Sequence, residues 1–196
     1  MRKIIVLTFM TLDGIMQAPG GPEEDTTGNF EYGGWVVPYF DEFLGNEMGE
    51  QMGRPFDLLL GRKTFEIFAS HWPKEGGPID DATKYVASNT LTEHEWKKSV
   101  FLNDDVVEEI KKIKAQDGPD LQVHGSSEFI QTLLEHDLVD EMWIKIFPVT
   151  IGKGKRLFED GTIPASFELK DSKASPSGVI IASYTRAGDL QTGTFE

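Results

Sequence analysis

The sequence predicts an α/β fold: a central, mostly parallel mixed sheet with antiparallel strands at its C-terminal end and helices on both faces. Two observations predict it. Short apolar runs rich in β-branched residues alternate with helix-periodic segments through most of the chain, the mark of parallel strands joined by crossover helices. The last strand-like runs then follow one another with only turns between them, as antiparallel strands do. No internal repeat, low-complexity tract or linker divides the 196 residues, so 1–196 reads as a single domain, large enough for a core without disulfide or metal support.

Ile4 to Met10 reads as a strand buried on both faces. Thr11 to Gly34 is a long irregular stretch with six glycines and two prolines, a length more typical of functional or disordered loops than of connectors. From Pro38 to Met52, Phe40, Phe43, Leu44 and Met48 recur at helical spacing, with Pro38 near the start. Asp57 to Gly61 is a strand running into a helix at Arg62–Glu66, and Lys84 to Ser88 is a further strand. Thr92 and Glu95 have capping-box spacing in a segment short for a helix. Ser99 to Leu102 is strand-like. After Asn103 or Asp104 as cap, Val106, Val107, Ile110 and Ile113 form one helix face, with Glu108 and Lys112 paired on the other.

Leu121 to Gly125 is the next strand, and Ser126 opens a helix that buries Phe129, Ile130, Leu133 and Leu134. Val139 to Phe147 is long and strand-like. Phe167 to Asp171 and Val179 to Thr185 are the final strands, joined by a Ser-Pro-Ser-Gly turn.

Composition narrows the function. Apolar residues at 39% and charged residues at 27% are those of a globular chain rather than a disordered one. A net charge of −14 argues against a nucleic-acid surface and requires that any anionic ligand meet locally concentrated positive charge. The absence of cysteine excludes disulfides, thiolate catalysis and the zinc-deaminase signature, and no two histidines stand at metal-ligand spacing. The apolar start ends at Asp13 without a small-residue cleavage site, and no stretch approaches a membrane span, so a cytoplasmic location is expected.

No G-x-G-x-x-G follows any strand, and Gly152-Lys153-Gly154-Lys155 lacks P-loop spacing; it reads as a tight turn. Two strand-to-helix junctions remain, Gly61-Arg62-Lys63-Thr64 and Gly125-Ser126-Ser127. Each pairs a glycine, which admits close approach to the backbone, with a helix N-terminus whose free N–H groups favour anions. Arg62 and Lys63 add charge suited to a phosphate. An ordinary glycine turn with a surface basic pair would look the same. Ser88-Asn89-Thr90 ends its strand in short polar side chains, which equally suit a turn bonded to its own backbone.

Seven segments in order resemble the dihydrofolate-reductase-like superfamily, in the branch of the reductase domain of the bifunctional riboflavin-biosynthesis deaminase/reductase. They are Thr11-Leu12-Asp13-Gly14, Gly33-Gly34-Trp35, Leu60 to Glu66, Lys84 to Ser88, Val123-His124-Gly125-Ser126, Leu138 to Met142 and Pro148 to Phe158. The resemblance implies NADPH as cofactor. Gly61, Arg62, Lys63 and Thr64 would hold the 2′-phosphate and pyrophosphate side, and Ser88, Asn89 and Thr90 the adenine-ribose side. Gly125, Ser126 and Ser127 would contact the pyrophosphate, and a mobile loop at Gly14, Ile15, Met16 and Gln17 would close over the nicotinamide.

It further implies hydride transfer to a pterin or ribosylated pyrimidine, as in a 5-amino-6-(5-phosphoribosylamino)uracil reductase. Asp41, with Glu42 as alternative, is the nearest match to a substrate carboxylate, and Asp41 or Asp13 would order the water that delivers a proton. The chain departs from the branch in having Gly-Ser where two glycines are usual, and it lacks the deaminase half. The competing reading is a catalytically inactive nucleotide-binding module of the same fold. Relatives in the branch dimerise, and Trp143, Ile144 and Phe147 give Val139–Phe147 apolar surface for a homodimer.

Overall fold

In the computed structural model, which describes residues 1–195, eight strands form one mixed sheet between two helical layers. The strands are β1 (Ile4–Thr11), β2 (Phe56–Gly61), β3 (Lys84–Ala87), β4 (Ser99–Leu102), β5 (Asp120–Val123), β6 (Glu141–Phe147), β7 (Ser166–Ala174) and β8 (Ile180–Gly188). The helices are α1 (Glu42–Met52), α2 (Arg62–Glu75), α3 (Pro78–Asp81), α4 (Val106–Ala115) and α5 (Ser127–Glu135). The spatial order is β4-β3-β2-β5-β1-β6-β8-β7. All pairs from β4 to β6 are parallel, and β8 lies antiparallel to both β6 and β7. The predicted sheet is the one observed.

Alternation along the central strands builds the layers. Ile4 and Val6 of β1 and Val123 of β5 face Ile110 of α4 and Ile130 and Leu133 of α5. On the opposite face, Leu58, Leu60 and Val86 pack with Phe65 of α2, Ile79 of α3 and Trp96. Beside them Leu44 of α1 joins Phe147, Ile15, Trp35 and Val179.

Several boundaries differ from the sequence reading, each for a local reason. Pro38 sits in a single 3-10 turn, Val37–Tyr39, and Phe40 is extended, so α1 begins at Glu42 with Asp41 as its N-cap. The cap of α4 is Asp105, whose side chain accepts from the Glu108 N–H, because Asn103 is already committed to the carbonyls of Ser88 and Leu91. Thr92–Glu95 forms no helix; the segment instead sets Trp96 against Phe65, with its indole N–H on Asp80.

Beyond Thr11, which ends β1, the stretch to Gly34 contains no helix or strand, yet it is tied down. Gln17 Nε2 donates to the carbonyls of Asp25 and Thr27, Trp35 Nε1 donates to the Gln17 carbonyl, and Ile15, Ala18 and Phe30 are buried.

Two of the three apolar residues offered as a homodimer surface are used inside the subunit. β6 lies between β1 and β8, with Ile144 in one core and Phe147 in the other, while Trp143 is half-buried and belongs to neither.

Candidate functional site

The two glycine junctions meet. Gly61 N–H donates to the Gly125 carbonyl at 3.0 Å, so the start of α2 and the start of α5 are bonded to each other. Contact is close enough to require glycine on both sides. A Cβ on Gly61 would overlap Ser126, and one on Gly125, whose φ is +152°, would stand 2.5 Å from Thr64 Oγ1. The Gly125–Ser126 peptide is cis. Neither Gly61 nor Ser126 caps its helix through a side chain, and Ser127 Oγ is buried with no hydrogen-bond partner among the described residues. First-turn N–H groups and an unpartnered hydroxyl thus meet at the junction, which fits a pyrophosphate, and Lys63 on the same turn of α2 adds a positive charge for a further phosphate.

These junctions form one end of a cavity of about 630 Å³. Lys63, Thr64, Ser126, Ser127, Met16 and Gln17 all line it, so six of the predicted cofactor residues are brought together. Gly61 and Gly125 stand directly behind them as the bonded hinge of the platform.

Other expected residues lie elsewhere. Arg62 is exposed and paired with Glu66 at 3.1 Å, an i,i+4 surface pair worth about 0.5 kcal/mol or less, which a phosphate could displace. Ile15 is fully buried in the core under Trp35, and Gly14 makes the turn before it. The Ser88 hydroxyl accepts from the N–H groups of Thr90 and Leu91, closing a local turn, and Ser88, Asn89 and Thr90 do not reach the cavity.

Asp13 and Asp41, expected near the reacting atoms, are tie points instead. Asp13 accepts from the Thr11 hydroxyl and from Ile151 N–H and Gly152 N–H, the last at 2.6 Å, joining the end of β1 to a distant loop. Burial opposes its ionisation, yet these donors hold its carboxyl below the usual range. Asp41 accepts from Leu44 N–H at 2.8 Å and from Ser177 N–H at 3.0 Å, locking α1 to the β7–β8 turn, and the Leu44 bond leads in lowering its pKa. Neither lines the cavity. Each carboxylate has both oxygens engaged by backbone amides.

The sequence reading missed several cavity residues. Asp25 and Lys155 pair at 2.7 Å beside the cavity; burial would raise the Asp25 pKa, but Lys155 and Thr27 hold it low. Glu24 accepts from Gly20 N–H and Gly21 N–H, and burial raises its pKa. His124, next to Gly125, lines the cavity while its Nε2 is buried without a partner; burial, then the charge of Lys145, pushes its pKa down to about 3. Lys145 is fully buried on β6, donates to Gln51 of α1, and is pushed by burial down to about 7. His124 could have been found from its place inside a quoted motif. Lys145 interrupts an apolar strand, which is a signal only once the strand is known to be central.

The layered sheet and the cavity at paired helix N-termini define a dihydrofolate-reductase-like fold, and solved structures agree. A protein from Shewanella sp. PV-4 described as a riboflavin biosynthesis protein is 26% identical, with TM-score 0.75 over 94% of this chain and 99% of that one. Dihydrofolate reductase from Enterococcus faecalis, complexed with NADP(H), is 14% identical with TM-score 0.61 over 94% and 96%, a likeness of fold alone. Residues 2–181 match the model of the RibD C-terminal domain, and the chain belongs to that family. Among curated relatives, the uncharacterized protein YyaP of Bacillus subtilis (strain 168) is 29% identical over 194 residues, covering 93% of this chain and 94% of its own. No helix among the described residues is long and apolar enough to cross a membrane.

Proposed function

We propose that this chain is an NADPH-dependent reductase that delivers a hydride to a small planar compound bearing a C=N or C=O bond. The observation that carries the reading is the convergence of two uncapped helix N-termini, the unpartnered Ser127 hydroxyl and Lys63 at one end of a deep cavity. Membership of the RibD C-terminal family and the NADP(H) held by the Enterococcus neighbour support it.

Thr64, Ser126, Ser127 and the first-turn amides of α2 and α5 would hold the pyrophosphate; Lys63, with Arg62 released from Glu66, would hold the 2′-phosphate. When bound, NADPH would supply the hydride. Met16 and Gln17 would border the nicotinamide end, where the anchored loop excludes water. Asp13 and Asp41 take no part in proton transfer; the proton comes from water.

Titration with NADPH and NADH, followed by tryptophan fluorescence, tests this. Preference for NADPH that falls about tenfold or more in Lys63→Ala and Arg62→Ala is expected. Failure of the wild type to bind either nucleotide overturns the reading. Binding without oxidation in the presence of any pterin or riboflavin precursor leaves a nucleotide-binding module.

A further inference from the structure

Away from the phosphate end, the cavity continues between α1 and the later turns of α2, where Phe9, Met48, Met52, Phe68 and Trp72 form its walls. Glu23, Glu24 and Asp25 border it. The lysines and arginines lining the whole cavity are two: Lys63 on the first turn of α2, and Lys155, already bound to Asp25 at 2.7 Å. His71 stands exposed at its edge on α2. This half therefore offers apolar surface and carboxylates, and a phosphate placed there would lose its hydration without gaining a dedicated cation.

His124 is the polar side chain of that part with a buried atom lacking a partner among the described residues. His124 packs at 5.5 Å from Phe68, ring centre to ring centre. Among the described residues its Nε2 is buried without a partner, whereas its Nδ1 makes no hydrogen bond and is not closed off. Burial, and then the charge of Lys145, keep the ring neutral. A neutral imidazole with its proton on Nδ1 is a hydrogen-bond donor to the cavity.

We propose that this half of the cavity takes a planar, uncharged heterocycle carrying no phosphate, and that His124 donates from Nδ1 to a carbonyl or ring-nitrogen acceptor on it. The proposal rests on the reductase reading, which assigns the phosphate end to the cofactor, and it narrows the substrate class away from phosphoribosylated pyrimidines. The aromatic side chains of Phe68 and Trp72 suit a flat ring, and the His124 donor fixes its edge.

The test uses the full chain saturated with NADP+, which cannot turn over, and calorimetric titration with 6-methylpterin, lumazine, uridine and uridine 5′-monophosphate. At least one uncharged heterocycle binds, and the monophosphate binds about tenfold or more weaker than uridine or not at all. His124→Phe weakens the bound heterocycle about tenfold or more. His124→Asn, which keeps an N–H donor, retains most of the affinity, and NADP+ affinity in both variants reports that the fold is intact. Binding of the monophosphate at least as tight as the uncharged compounds overturns the proposal, as does NADP+ binding with no heterocycle bound, or full affinity in a folded His124→Phe. Failure of NADP+ itself to bind overturns the reductase reading instead, and this proposal falls with it.

Discussion

Replacing Lys145 with methionine should stabilise the protein at neutral and lower pH and remove a rise in stability toward alkaline pH. The ammonium is fully buried on β6, flanked in register by Phe9 of β1 and Ile181 of β8. Its hydrogen bond goes to a neutral amide, Gln51, and the nearby Glu47 carboxylate is already held by Lys173 at 2.7 and 2.8 Å. Burial lowers its pKa from 10.5 to about 7, with Glu47 opposing.

The sign follows from proton counting. Between about pH 7 and 10.5 the unfolded chain keeps the Lys145 proton while the folded chain has released it, so stability rises with pH. Below about pH 7 both states carry the charge, and the folded state bears the full cost of burying it. At about 1.4 kcal/mol per pH unit, the interval sets a ceiling of about 5 kcal/mol, and side-chain relaxation and water entry reduce the observable part to about 2–3 kcal/mol. His124 is neutral across this window and does not contribute.

Urea unfolding followed by tryptophan fluorescence, at intervals from about pH 6.5 to about pH 9.5, measures the difference between Lys145→Met and wild type. Titration of the remaining lysines cancels in that difference, which should favour the variant most at the acid end and shrink steadily as pH rises. A difference that stays constant across the range would refute the argument, because it would mean that Lys145 keeps its proton inside the fold.

Gly125→Ala places a methyl against Thr64 Oγ1 at a positive φ, and should cost about 2–3 kcal/mol in urea unfolding while weakening nucleotide binding. Loss of neither would show that the two junctions yield easily. Asp41→Ala should speed amide exchange at Leu44 and Ser177 and lower the melting temperature, with Asp41→Asn intermediate, and should leave NADPH affinity unchanged. An effect on hydride transfer without one on exchange would return Asp41 to the reaction. Asp25→Asn frees Lys155 and should expose the segment around Gln17 to limited proteolysis at a cost of about 1–3 kcal/mol; unchanged cleavage would show that the pair does not hold the loop.

What could be read from the chain was whatever local chemistry determines. β1 and β2 announce themselves because burial on both faces demands uninterrupted apolar runs, and α5 because its apolar period is undiluted. The junctions at Gly61 and Gly125 were visible as separate features, but their mutual hydrogen bond joins residues 64 positions apart, and spacing in sequence carries no trace of it. The start of α1 was misplaced because Pro38 satisfies a 3-10 turn as well as a helix start. Asp13 and Asp41 looked chemically available because a carboxylate's backbone partners, Gly152 and Ser177, lie more than 130 residues away. Ile144 and Phe147 of β6 looked exposed for the same reason: their covering layers come from distant segments.

The bond between Gly61 and the Gly125 carbonyl makes the two anion-facing helix starts one body. Neither can tilt without the other, so this wall is pre-set before any ligand arrives and little ordering entropy remains to be lost there. The opposite wall, made by α1 and the segment near Glu24, has no such hydrogen bond to the platform among the described residues and meets it by side-chain packing, with Met52 against the cluster around Phe65 of α2. Changes at Met48 or Glu24 can therefore reshape what is accepted while the platform stays as it is. A chain divided in this way can exchange one ligand for another by drift at a few positions, with the anion-facing wall untouched.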